Sequence, residues 1–231
     1  MKKINKWILG GVIAVGVFAL ASQGLQYVLK GPKKPFNAIL VSGKSEDVKE
    51  AKETYKDNTN YTKDYTYKIV TEDRTVVEDG KEFKDTKTYI VITKDTVKAM
   101  IKDQIFREKI DETSNLDTQL LKEMPNIDGN ETLMLGSDYY KDISKLNIQG
   151  VELSMKYGNY SWMGYLPPEG TIIITDDKTY DALKGSELDM TLIRFKKGTL
   201  DLRETSDMAK VKNTLSGVAD NIEINYSIIE D

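Results

Sequence analysis

The chain opens with a run of 23 residues, Trp7–Leu29, that carries no charged side chain. Lys2, Lys3 and Lys6 precede it, and Lys30, Lys33 and Lys34 follow it. A bilayer core takes about 20 apolar residues in helical form, so the run predicts a membrane-spanning helix over residues 1–30. Tyr27 near its end suits the interfacial aromatic belt. The short tail before the run and the single long stretch after it predict that the remainder lies outside the membrane. Ala19-Leu20-Ala21 before Ser22 also reads as a small-x-small cleavage site. A retained anchor is the expectation; secretion after cleavage behind Ala21 is the alternative.

Beyond the run, Gly31–Pro35 holds two prolines within four residues and predicts a short stiff linker. Residues 36–231 then read as one extracytoplasmic domain, with a division into related halves at 36–130 and 131–231 as an option. Phe36–Ser42 is an apolar strand. Ser45–Tyr55 is a charged surface helix with Ser45 at its N-cap.

Two hairpins are predicted from alternating patterns. Asp79-Gly80 suits the positive φ values of a two-residue turn. Counting outward from it pairs Glu78 with Lys81, Arg74 with Asp85 and Glu72 with Lys87. On the same face Val76 meets Phe83 and Val70 meets Tyr89; on the other, Thr71 meets Thr88, Ile69 meets Ile90 and Tyr67 meets Ile92. Opposite charges facing each other stabilise such a ladder, and the hairpin is expected over about Tyr65–Thr93. The second hairpin is expected over Val151–Leu166 about Gly158-Asn159, pairing Tyr157 with Tyr160 and Met155 with Trp162.

The rest alternates strand and helix. Tyr89–Thr93 leads to a helix near Asp95–Ile110 with Val97, Met100, Ile101 and Ile105 on one face. Thr132–Leu135 leads to Ser137–Leu146, and Thr171–Thr175 to Asp177–Lys184, closed by Gly185. Asp189–Phe195 leads to Ser206–Ser216, and Glu223–Ile229 is a final strand. The fold class is therefore α+β, a mixed sheet with two hairpins and strand–helix units behind a membrane helix. Three units share a strand followed by Thr or Ser and an Asp, as in Ile174-Thr175-Asp176-Asp177; capping needs alone draw such residues to helix starts.

Charge sharpens the picture. The six lysines before Pro35 leave 27 basic against 37 acidic side chains after it, a net of −10. That balance repels a phosphate backbone, so no nucleic-acid partner is expected. The chain has neither Cys nor His. Disulfides, thiolate nucleophiles and the Ser-His-Asp relay are thereby excluded, and the commonest transition-metal ligand is missing. Phosphate-binding glycine loops are also absent. Neither cofactor nor metal is expected. A lipid-modified N-terminus needs a Cys, and Ser22 stands about where it would lie, so the expected anchor is a helix, not a lipid.

Candidate chemistry is sparse. Asp176-Asp177 after an apolar strand stands where carboxylate-dependent enzymes place acids, though an N-cap followed by a dipole-facing acid accounts for both residues. Pro125–Glu131 spaces Asn126, Asp128 and Asn130 like a calcium loop but has too few acids. Tyr160, Trp162, Met163 and Tyr165 lie in the most aromatic stretch and are the candidate binding residues. Met163 and Tyr165 are expected to face outward, and Trp162 to pack inward.

The stretch Pro168–Leu183 resembles a segment in the extracellular domains of FtsX-like and MacB-like ABC transporter permeases, where a buried strand also runs into Thr/Ser-Asp and a short helix with Tyr and Leu. The layout of a basic signal-anchor plus a domain of this length is similar to that of uncharacterised cell-envelope lipoproteins of Gram-positive bacteria, from which this chain departs by lacking the lipidated Cys. These resemblances imply a domain that binds or senses at the cell surface, with an envelope protein or an ABC permease as partner, and supply no catalytic residues. The expected function is non-enzymatic binding; a hydrolase using paired carboxylates is the alternative, since glycosidase-type chemistry needs no His.

Overall fold

The computed structural model describes residues 36–78, 81–110, 118–127, 131–136, 140–165, 170–200, 202, 205–218 and 222–230. The expected membrane helix and linker, the Asp79-Gly80 turn and Asp128–Asn130 of the Pro125–Glu131 loop lie outside these residues.

The fold is α+β. A mixed sheet of nine strands has the spatial order β12-β1-β11-β2-β3-β10-β6-β8-β7. Its strands are β1 (Ala38–Gly43), β2 (Thr59–Glu78), β3 (Lys81–Thr93), β6 (Thr132–Leu135), β7 (Lys145–Ile148), β8 (Val151–Tyr157), β10 (Thr171–Thr175), β11 (Ser186–Phe195) and β12 (Glu223–Ser227). A second sheet has the order β5-β4-β9, built from β4 (Phe106–Lys109), β5 (Thr118–Leu120) and β9 (Ser161–Met163). Among the described residues the α-helices are α1 (Ser45–Tyr55), α2 (Lys94–Lys102), α3 (Asp177–Ala182) and α4 (Thr205–Ser216). Strands from before and after residue 130 interleave in the large sheet, with β1 between β12 and β11 and β3 beside β10.

Alternation along the central strands sends side chains to two buried layers. Ile90 and Ile92 face one layer with Leu40, Leu133 and Ile172, covered by Val97, Met100 and Ile101 of α2 and by Phe106, Trp162 and Met163 of the small sheet. Tyr89 and Val91 face the other with Ile173, covered by Tyr180 and Leu183 at α3. Toward β12 that same side holds Ile39, Val41 and Ile193 under Ala51 of α1 and Val211 and Leu215 of α4. The parallel partners β3 and β10 are buried on both faces, which is why YIVIT and TIIIT are almost continuously apolar.

The first hairpin has the expected register, from Lys68↔Val91 to Glu78↔Lys81, including Glu72↔Lys87 and Arg74↔Asp85. Before it, β2 exchanges partners: Ile69 already faces Ser186, and Tyr67 pairs with Leu188 of β11, not with Ile92. Residues 71–78 and 81–88 extend past both neighbouring strands as a two-stranded ribbon.

The second hairpin does not form. β8 pairs in parallel with β6 (Thr132↔Met155) and antiparallel with β7 (Lys145↔Ser154), while β9 leaves for the small sheet (Phe106↔Met163). Gly158 is required for another reason: a Cβ there would come within 2.8 Å of Leu135. The true hairpin is β7–β8. Gln149 and Gly150 have φ of 54° and 83°, as a primed turn demands.

Four helix expectations need correction. The predicted helix over Asp95–Ile110 stops at Lys102, because Gln104 takes φ +61° and turns the chain into β4. Its apolar face is as expected, with Val97, Met100, Ile101 and Ile105 all buried. No α-helix occurs among the described residues of 137–146, whose last two open β7. Ser45 begins α1 without capping it, the N-cap being Lys44. Gly185 is no left-handed cap either; its absent Cβ makes room for the Ile69 carbonyl of β2.

Candidate functional site

The residues singled out for binding sit where the small sheet meets β12. Trp162, Met163 and Tyr165 are all buried, at 3, 5 and 7% exposure. Trp162 thus packs inward as expected. The outward orientation of Met163 and Tyr165 is overturned, because that expectation depended on a hairpin parity that β9 does not obey.

Their contacts form a latch. The Trp162 Nε1–H donates to Tyr165 O at 3.3 Å, and Asn225 Nδ2 donates to Met163 O at 3.1 Å. The Tyr165 N–H lies 3.2 Å from Asn225 Oδ1 and 2.8 Å from Tyr226 O. Gly164 between them has φ +75°, and a Cβ there would lie 2.5 Å from Asn225 Cγ. The Tyr165 ring meets Phe36 edge-on with centroids 4.7 Å apart, and Phe36 continues to Tyr226 at 5.4 Å. Arg107 of β4 stands 5.6 Å over Tyr165 while its Nε and Nη2 donate to Thr118. Burial lowers the Arg107 pKa from its ordinary value. Aromatic area here closes the core and holds the small sheet to an edge of the large one.

Tyr160 is the member of the set that stays half-buried. It lies 5.2 Å from the Trp162 ring, and Lys109 Nζ is 5.8 Å from its centroid. Beside it, Glu108 accepts from Gln119 Nε2 at 2.9 Å and from Asn159 Nδ2 at 2.7 Å, and the Ser161 hydroxyl donates to Asn159 Oδ1. Ile110, 55% exposed, follows directly after β4. Tyr160, Lys109, Glu108, Asn159 and Ile110 therefore make a mixed aromatic and polar rim on the small sheet. Ile110 and Asn159 escaped the sequence reading: only the β4–β9 pairing brings residue 108 beside residue 159.

Asp176 and Asp103 have structural partners. Asp176 caps α3 by accepting from the Thr179 N–H at 2.7 Å, and that backbone bond lowers its pKa. Thr93 caps α2 in the same way through the Thr96 N–H. Asp103 accepts from the Tyr65 hydroxyl at 2.6 Å. Among the described residues, no three acids gather as a metal site would require.

Residues 36–224 match the model of an uncharacterised lipoprotein family. The chain belongs to this family. The match spans nearly all of the described domain and begins after the uncharged N-terminal run. A lipoprotein family is one of membrane-anchored, outward-facing proteins, yet these 231 residues contain no cysteine to carry a thioether-linked lipid. The fold is similar to that of a crystal structure provisionally described as a lipoprotein of Bacillus anthracis. The TM-score is 0.62 and the identity 17%, over 84% of this chain and 99% of that one. At that identity the likeness is one of fold. No curated protein matches the chain. Among the described residues no helix is long and apolar enough to cross a membrane.

Proposed function

We propose that this member of the lipoprotein family is a membrane-tethered protein of the cell envelope that binds or senses a partner without chemistry of its own. The observation that carries the tether is the combination of an outward-facing, membrane-anchored family with an uncharged 23-residue run in a chain that lacks the lipidated Cys. In this reading Trp7–Leu29 replaces the lipid as a retained helix. The binding face is the rim of the small sheet, where Tyr160 and Ile110 offer apolar area flanked by Lys109 and Glu108; aromatic groups with a polar surround suit a protein partner. An envelope protein, such as an ABC permease, is the proposed partner class. The capping and cross-linking roles of Asp176 and Asp103 support binding over carboxylate catalysis.

Two measurements on the full chain in intact cells test this. Alkaline extraction should leave it in the membrane pellet, and protease added outside should digest residues 36–231. A photo-cross-linking side chain at residue 110 should give a discrete adduct that Tyr160→Ala weakens, while one at Thr75 on the ribbon gives none. A cytosolic, extractable chain would remove the tether, and equal adducts at both positions would remove the face.

A further inference from the structure

The end of the large sheet at which the chain enters the domain is rigidly set. Phe36 is buried against Tyr165 and Tyr226. Asn37 exchanges two side-chain hydrogen bonds with the Ile229 backbone, each 2.8 Å, and accepts from the Phe195 N–H at 3.0 Å. The same end gathers cations. The Lys196 N–H bonds Asn58 O, and its Nζ lies 2.7 Å from Asp57 O. Lys197 is exposed on the turn after β11, Lys56 is exposed on the turn before β2, and Arg194 Nη1 donates to Asn37 O. Among the described residues the acids near them include Asp57, Glu53, which is paired with Lys56, and Glu230, which follows the Ile229 that Asn37 bonds. This balance is the reverse of the domain's, which is acidic by ten charges.

Chain length decides what these lysines can meet. Gly31–Pro35 separates Lys30 from Phe36, and five extended residues reach about 17 Å at most. That is roughly two Debye lengths at physiological salt, about 8 Å each. Lys33 and Lys34 lie within the span. We propose that this end of the domain docks on anionic phospholipid headgroups, with Lys56, Lys196 and Lys197 as its contacts and the acidic body turned away. The tether supplies the high local concentration that lets a few charges suffice. The inference rests on Trp7–Leu29 being the retained anchor.

The absence of cysteine allows a single reporter on the full chain, reconstituted in vesicles of phosphatidylcholine with or without phosphatidylglycerol. A dye on Asn58→Cys reports the entry end; one on Thr75→Cys lies about 50 Å further along β2. Headgroup-bound quencher should quench the first more strongly when phosphatidylglycerol is present, should lose that excess at high salt, and should spare the second. K56Q/K197Q, which leaves the Lys196 tie to Asp57 intact, should lower the docked-to-undocked ratio about fivefold per lysine. Quenching at residue 58 that ignores phosphatidylglycerol, or a double variant indistinguishable from the parent, overturns the docking. A chain that fails to pellet with vesicles overturns the anchor instead.

Discussion

The Lys68 ammonium lies 2.8 Å from the carbonyl oxygen of Tyr180 and 4.2 Å from the centroid of the same residue's ring. It also donates to Leu183 O at 3.0 Å. Lys68 is buried in β2, so a cation from the sheet occupies the C-terminal end of α3, where unpaired carbonyls carry partial negative charge. The six-residue helix is thus held at both ends, by Asp176 at the start and Lys68 at the close.

Lys68→Met keeps the apolar stem and removes the ammonium, leaving two carbonyls short of a partner. Each unmet group costs about 1–3 kcal/mol, so the unfolding free energy should fall by about 2–6 kcal/mol. A denaturant midpoint equal to the parent's would refute the capping role.

Gly164→Ala meets two obstacles, the positive φ and the Asn225 side chain within 2.5 Å of the new Cβ. The variant should lose about 2 kcal/mol or more, and faster amide exchange at Tyr165 would mark the opened latch. Gly150→Ala has a positive φ but open space around its Cβ, and should cost only about 1 kcal/mol.

Trp162→Ala should act through stability, not recognition. Truncating a buried aromatic costs about 3–5 kcal/mol, and the thermal midpoint should drop accordingly. Tyr160→Ala, which truncates a half-buried ring, should lower the midpoint less than Trp162→Ala does and weaken the cross-link at residue 110. The opposite pattern would show that Trp162 is the contact.

Alkaline pH should unfold the domain. Burial raises the hydroxyls of Tyr67, Tyr180 and Tyr226 to about 12 from an ordinary 10.0, with Glu223, Glu187 and Tyr55 respectively adding to it. Groups raised on folding contribute stability that is complete below the unfolded value and lost as pH rises through the folded one. Stability should hold to about pH 10 and fall between there and about 12, followed by urea midpoints across that window. Tyr226→Phe should shallow the fall.

Acid should weaken the start of α3. The Thr179 N–H holds Asp176 below the usual carboxylate range, so its contribution is present above the unfolded value and lost as pH falls through the folded one. Asp176→Ala should cost about 1 kcal/mol at neutral pH and leave less to lose on acidification, as melts at neutral and acidic pH would show.

Local alternation carried much of the fold. The β2–β3 ladder was legible because a turn dipeptide and three opposite-charge pairs agree on one register, and every contact in it lies within about twenty residues of its partner. The buried runs at β3 and β10, the capping of α3 by Asp176 and the inward Trp162 were legible for the same reason: each follows from residue type and immediate neighbours. What the sequence could not decide was which strand lies beside which. Val151–Tyr157 and Ser161–Met163 alternate as a hairpin would, but β8 gains two neighbours by entering between β6 and β7, and β9 gains Phe106 and the Asn225 latch by leaving. Likewise Lys68 reads as an ordinary strand lysine until α3, more than a hundred residues later, lays its last carbonyls across it. Parity along one strand tells which face a side chain takes; only packing of distant segments, which buries more apolar surface than the local alternative, tells what that face will touch.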